Sequence, residues 1–126
     1  VGTPHGPPSR DPGRCFDLVL LGLGADGHTA SLFPHSAALA EATAWAIDTP
    51  PPVPGPARVT LSLPLLAAGR ERLLLVTGAS KHGALQASLF GAPDPARWPV
   101  QALLERAGTL HVLADAAAGA QASGRV

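Results

Sequence analysis

A nearly continuous apolar run of seven residues, FDLVLLG, leads directly into a glycine-rich turn and limits the folds that this chain can adopt. The run covers residues 16–22 and ends at glycine, a pattern typical of a strand covered on both faces in a parallel sheet. We therefore expect this strand to lie at the centre of a sheet and to place the turn that follows at the sheet's carboxyl edge.

Strand-like and helix-like segments alternate along the rest of the chain. Strands are predicted at WAID (45–48), RVTLSL (58–63), RLLLVTG (72–78) and TLHVLA (109–114). Helical stretches are predicted at 27–33, 36–45, 64–69, 80–90 and 99–108, with a short one after 114. The proline-rich segment 49–57 is predicted to be an extended surface connector. This alternation predicts an α/β protein with a layered, mostly parallel sheet and flanking helices.

The composition favours one small folded domain. Of the 126 residues, 46% are hydrophobic and 14% are charged, which suits a single modest core and excludes general disorder. Residues 1–14 are rich in proline, glycine and charge and are expected to form a loop or a frayed N-terminus. The domain is expected over 15–119, followed by a tail at 120–126.

Charge and hydropathy exclude several kinds of partner. The formal net charge is zero, which argues against nucleic acid or an anionic membrane as a partner. The apolar runs are too short to span a bilayer, so we expect no membrane association. The lone cysteine, Cys15, and the absence of an apolar leader favour a cytoplasmic location. No histidine has the spacing of a metal site, and we expect neither metal nor cofactor.

Glycines 22, 24 and 27 form the pattern G-x-G-x-x-G after the first predicted strand, with Asp48 about 20 residues further on. This pattern is compatible with a dinucleotide-binding turn, which is one alternative function. Such a turn usually leads into a long helix that holds the pyrophosphate at its N-terminus. Pro34 ends the helix predicted here early, which weakens this interpretation.

The longer string FDLVLLGLGADGHTASLFP resembles the characteristic motif of the 6-phosphogluconolactonase family. The segments RVTLSLPLLAAGRERLLLVTGASKHGAL and TLHVLADAAAG follow in the order and spacing of that family. The related glucosamine-6-phosphate deaminases share the D-G-H core but have glutamate five residues after the histidine. The corresponding residue here is Phe33, which favours the lactonase.

His28 is the predicted catalytic residue. It lies at a strand-to-helix turn, where ligands collect in an open parallel sheet. An unperturbed imidazole is largely neutral near pH 7, and a nearby helix N-terminus would disfavour its cation further. The hypothesis is that His28 activates the water that attacks a lactone carbonyl. Asp26 is placed either to orient the imidazole or to cap the first helical turn, and the sequence does not choose between these roles.

Four further residues are predicted to contact the substrate. Gly24 and Gly27 carry no side chain, so their backbone can approach the substrate and stabilise the oxyanion. Lys81 begins a helix after a strand, where its ammonium and the free N–H groups can meet a phosphate. The resemblance implies the same role for Lys81 and implies phosphate contact for Arg58.

The resemblance implies hydrolysis of 6-phospho-D-glucono-1,5-lactone to 6-phosphogluconate in the pentose phosphate pathway, with a phosphorylated sugar lactone as the small-molecule partner. Family members also have a front half with an S-G-G-x-T-P loop and a D-E-R segment, and neither occurs here. We therefore expect the chain to correspond to the C-terminal portion of an incomplete family fold, with an unpaired sheet edge and exposed apolar faces. A non-catalytic remnant is the other alternative function.

Overall fold

The computed structural model describes residues 16–104 and 109–119. The predicted N-terminal loop at 1–14 and the tail at 120–126 lie outside these residues. Cys15 and the second half of the helix predicted at 99–108 also lie outside them.

Within the described residues, strands form a three-stranded parallel sheet and a separate antiparallel pair. The parallel sheet has the order β1, β4, β5, with β1 at Leu18–Gly22, β4 at Glu71–Val76 and β5 at Thr109–Ala114. The antiparallel pair consists of β2 at Ala46–Thr49 and β3 at Arg58–Leu61. The predicted parallel α/β sheet is confirmed, and the strand that begins at Arg58 belongs to the smaller pair.

Short helices connect and flank these strands. The α-helices are α1 at Leu63–Ala67, α2 at His82–Phe90, α3 at Gln101–Leu104 and α4 at Ala116–Gly119. Single 3₁₀ turns occupy Ala37–Ala40 and Ala79–Lys81. None of the helices in the described part of the chain is long and apolar enough to cross a membrane.

The prediction that the first strand is central and covered on both faces is wrong. β1 is an edge strand of the described sheet, and only its Val19 and Leu21 side chains are buried. Leu18 and Leu20 point to the opposite face and are more than half exposed. The apolar run is continuous because both faces of the strand are apolar, but the described residues cover only one of them.

The helix predicted at 27–33 does not form either. Thr29 and Leu32 make an isolated bridge around a turn in which Ala30 has a φ of 51°. The hydroxyl of Thr29 donates to the Gly22 carbonyl at 2.8 Å. This side-chain bond ties the segment to the end of β1, in competition with a helical hydrogen-bond ladder. The predicted helix at 36–45 is likewise reduced to the 3₁₀ turn at Ala37–Ala40.

The hydrophobic core lies on one face of the parallel sheet. The inward residues of β1 and β4 pack there with residues of α1, α2 and α3, among them Leu66, Leu85 and Leu103. The other face carries a row of exposed leucines at positions 18, 20, 75 and 113. Burial on one side only leaves a contiguous apolar surface of the kind that promotes association.

We expect this exposed face to cause self-association of the isolated chain. Leu20 is 60% exposed on the edge strand, so Leu20→Lys adds a charge there and should shift the elution volume in gel filtration toward that of a 12.7 kDa monomer. Val53→Lys is the matched control, because Val53 is 66% exposed in the proline-rich connector. Exposed apolar patches should associate at a chain concentration on the order of tens of micromolar. A wild-type chain that elutes as a monomer at that concentration would contradict the prediction.

Candidate active site

The turns that follow β1 and β4 meet at the carboxyl edge of the parallel sheet. His28 lies on the first turn and Lys81 on the second. A cavity of about 310 Å³ lies between them, lined by Gly22, Leu23, Gly24, His28, Ala30 and Lys81. The Lys81 ammonium donates to the Leu23 carbonyl at 2.7 Å. The structure thus brings together the predicted base and the predicted phosphate ligand from positions 53 residues apart.

The turn after β1 is closed by its own backbone. The Gly24 N–H donates to the His28 carbonyl at 2.8 Å, and the Gly27 N–H donates to the Gly24 carbonyl at 2.9 Å. Both amides that sequence analysis assigned to the oxyanion are therefore engaged within the turn. These bonds hold residues 24–28 in a compact loop that presents the His28 ring to the cavity.

Two of the glycines in this turn are required by its geometry. A Cβ at Gly24 would lie 2.2 Å from Nδ1 of His28 and 2.7 Å from the nearer carboxylate oxygen of Asp26. Gly27 has a φ of +97°, and a Cβ there would lie 2.6 Å from the Trp98 ring. Gly22, by contrast, has nothing within 4 Å of the corresponding position. The spacing of glycines 24 and 27 therefore follows from how the imidazole and the indole pack on the turn.

His28 and Asp26 form the central polar pair of the site. Nδ1 of His28 lies 2.5 Å from Oδ1 of Asp26, and the same oxygen accepts the His28 backbone N–H at 3.0 Å. Partial burial acts to raise the pKa of Asp26, but the hydrogen bonds from His28 and its charge outweigh this effect, so the pKa lies below its usual value. An ionised carboxylate only accepts hydrogen bonds, so the proton between the two groups belongs to Nδ1. When the imidazole is neutral, Nε2 is then the ring nitrogen that can accept a proton.

Asp26 thus makes both contacts that the sequence left open, to the ring and to the backbone. The backbone contact closes a turn, because no helix begins at His28. The electrostatic argument from a helix N-terminus therefore does not apply to this histidine. Its environment is set by the Asp26 carboxylate, and its side chain, 34% exposed, remains accessible at the cavity.

Phe33 and Arg58 extend the site away from Asp26. The Phe33 ring is buried, and its centroid lies 4.9 Å from that of the His28 ring. The Arg58 guanidinium lies 5.7 Å from the Phe33 centroid and is exposed at the start of β3. Arg58 is therefore on the same side of the molecule as His28, across the Phe33 ring, although it does not line the cavity itself.

The loop after β4 is anchored by Asp115, a residue that sequence analysis did not single out. Gly78, with a φ of +96°, donates its N–H to both carboxylate oxygens of Asp115 at 3.1 Å. Asp115 follows β5 and also accepts the Ala118 N–H at 2.8 Å. This anchoring sets the start of the segment that carries Lys81. The aspartate directly after the last predicted strand was the available sequence signal.

The dinucleotide alternative is not favoured by this geometry. The turn after β1 does not lead into a helix, so there is no helix N-terminus at which to place a pyrophosphate. Asp48 lies in β2, within the separate antiparallel pair.

Across residues 16–104 and 109–119, no group of three or more His, Cys, Asp or Glu side chains is arranged to hold a metal ion.

The contact at Gly24 gives a direct test of this geometry. Gly24→Ala should displace the His28 ring from Asp26 because the new methyl group would overlap it, and the cross-peaks between the His28 and Phe33 rings in NMR spectra should be lost. Gly22→Ala is the matched control, since its methyl group enters open space. Unchanged ring contacts in Gly24→Ala would contradict the described packing.

Comparisons with known proteins show what this arrangement is similar to. A curated 6-phosphogluconolactonase of Mycobacterium tuberculosis is 46% identical over 111 residues, which cover 86% of this chain and 44% of that protein. A 6-phosphogluconolactonase of Synechocystis is 42% identical over 104 residues, covering 82% of this chain and 42% of the relative. The chain thus spans less than half the length of these relatives.

A crystal structure of 6-phosphogluconolactonase from Leishmania guyanensis superposes with a TM-score of 0.74 at 32% identity, covering 86% of this chain and 42% of that one. The family model described as glucosamine-6-phosphate isomerases/6-phosphogluconolactonase matches residues 7–112. This chain belongs to the glucosamine-6-phosphate isomerase/6-phosphogluconolactonase family.

Proposed function

We propose that the protein containing this chain hydrolyses 6-phospho-D-glucono-1,5-lactone to 6-phosphogluconate, a reaction of the pentose phosphate pathway. The observation that supports this proposal is the His28 ring, held by Asp26 through Nδ1, beside a cavity that Lys81 also lines. The pair supplies a base for water, and the ammonium supplies a positive charge for a phosphate. A phosphorylated lactone needs both.

In the proposed reaction, Nε2 of His28 takes a proton from water while the water oxygen attacks the lactone carbonyl carbon. Asp26 stabilises the imidazolium that forms, since its carboxylate already accepts a hydrogen bond from Nδ1–H. The tetrahedral intermediate then collapses and breaks the bond between the carbonyl carbon and the ring oxygen. That oxygen takes the proton from Nε2, which restores the neutral imidazole, and the product acid loses its proton to solvent.

Lys81 and Arg58 are proposed to bind the phosphate. An ammonium has three donors, and one of those on Lys81 is directed to the Leu23 carbonyl, so the other two can face an anion in the cavity. Arg58 is exposed beyond the Phe33 ring and can reach the phosphate from that side. Gly24 borders the substrate because it lines the cavity, whereas Gly27 shapes the turn.

The lactonase fits this site better than a deaminase does, because position 33 presents a buried aromatic ring to His28 instead of a carboxylate. The relatives named as 6-phosphogluconolactonases support the same choice. They are also more than twice as long as the matched region, so further residues in a complete protein would contribute to substrate binding.

We further propose a cytoplasmic location, based on the single cysteine in the sequence.

The role of His28 is tested by lactone hydrolysis, corrected for the spontaneous reaction. The assay uses this chain and a chimera in which it replaces the matching 111-residue region of the Mycobacterium tuberculosis relative. We expect His28→Ala to lower kcat of the chimera by roughly 10²- to 10⁴-fold, the usual contribution of a positioned base.

The matched control is His111→Ala, because His111 is exposed on β5 and pairs with Glu71 away from the cavity. Full activity of the His28→Ala chimera would overturn the proposal. A correctly folded wild-type chimera without activity would instead identify the chain as a non-catalytic remnant.

Loss of the Lys81 ammonium should weaken substrate binding more than it slows the chemical step. In the chimera, we expect Lys81→Met to raise KM by about 10-fold, the equivalent of about 1.4 kcal/mol, and Arg58→Met to raise it by less, because Arg58 is outside the cavity. Arg70→Met is the control, since Arg70 lies at the amino end of β4, whereas the cavity lies at the carboxyl end of the strands. An unchanged KM in Lys81→Met would exclude this residue from the phosphate site.

A further inference from the structure

We propose that Arg97 is a positioning residue that holds the Asp26–Gly27 peptide and thereby keeps the Asp26 carboxylate on Nδ1 of His28. The observation behind this proposal is a contact across 71 positions of the chain, in which Nη1 of Arg97 donates a hydrogen bond to the backbone carbonyl of Asp26. The catalytic consequence rests on the proposed function, whereas the effect on the His28 tautomer does not.

The guanidinium is held in place by the residue next to it. Its central carbon lies 3.9 Å from the centroid of the Trp98 ring, the distance of a close cation–π contact. The same ring packs on the turn from outside, because a Cβ at Gly27 would come within 2.6 Å of Trp98 and 3.4 Å of Nη1 of Arg97. Arg97 and Trp98 therefore cover the outer side of the Asp26–Gly27 peptide together.

The segment that carries Arg97 and Trp98 is itself well anchored. The carbonyl of Asp94 accepts the N–H groups of Arg97 at 3.1 Å and Trp98 at 2.8 Å. The Asp94 N–H donates to the side chain of Gln101, which is buried at the start of α3. Pro99 and Val100, directly after Trp98, are almost completely buried. The segment that carries Arg97 is therefore fixed to the core, and Arg97 restrains the turn.

The hydrogen bond acts on the peptide that links Asp26 to the segment carrying His28. Asp26 has few other restraints, since its side chain is 46% exposed and the hydrogen bonds of its carboxylate to other described residues go to His28. If the Asp26–Gly27 peptide rotates, the carboxylate leaves Nδ1, and the imidazole loses the contact that places its proton there. Arg97 does not line the cavity, so its effect on a substrate is exerted through Asp26 and His28.

The test is ¹⁵N NMR of the His28 ring in this chain, which reports which nitrogen carries the proton without any activity. We expect Arg97→Ala to shift the tautomer ratio at least about fivefold away from the Nδ1–H form, as suits the loss of a charge-assisted hydrogen bond. Asp26→Asn is the positive control. Arg70→Ala is the negative control, because Arg70 lies at the opposite edge of the sheet.

Arg97→Lys separates positioning from general destabilisation. Lysine keeps a charged donor but cannot stack its head group flat on Trp98, so it should restore the tautomer ratio in part. In the chimera described above, Arg97→Ala should lower kcat by about the same factor while KM stays unchanged.

A native tautomer ratio in a folded Arg97→Ala chain would overturn the inference. So would a shift that Arg97→Lys does not reduce at all. If the His28→Ala chimera is fully active while Arg97→Ala still shifts the tautomer ratio, the proposed function is overturned and the positioning role of Arg97 stands.

Discussion

The position of the His28 imidazole depends on the missing side chain at Gly24. The ring lies so close to the Gly24 backbone that a single methyl group there would overlap Nδ1 and the Asp26 carboxylate at once. Because the ring can enter this space, the carboxylate can reach it at 2.5 Å and fix the tautomer. The loop's two internal backbone hydrogen bonds then keep the glycine where it must be.

The origin of the site's electrostatics differs from what the sequence suggested. A helix starting at residue 27 would have placed partial positive charge next to His28. The Thr29 hydroxyl bonds to the end of β1 instead, and the segment becomes a turn. The histidine is therefore next to a carboxylate whose pKa is lowered, and not next to a helix dipole. The carboxylate also orients the neutral ring through its contact with Nδ1.

Sequence reasoning predicted the features that depend on local pattern. Each predicted strand within the described residues forms, and the turns after β1 and β4 meet at the same edge, as parallel strands require. It failed where tertiary contacts outweigh local propensity. The exposure of Leu18 and Leu20 depends on which faces are covered, and residue type does not report this. Likewise, no local pattern links Arg97 to Asp26, because the two residues are 71 positions apart and meet only in the folded chain.

Ala30 lies between two recesses of the surface. It lines the His28 cavity, and it also lines a second, mostly apolar groove of about 300 Å³ that runs beside β1 and includes Leu18, Leu20 and Leu61. Gly22 also lines both spaces, so the end of β1 and Ala30, whose φ is 51°, together form the boundary between them. Any polypeptide that came to lie in the groove would therefore share a wall with the His28 cavity.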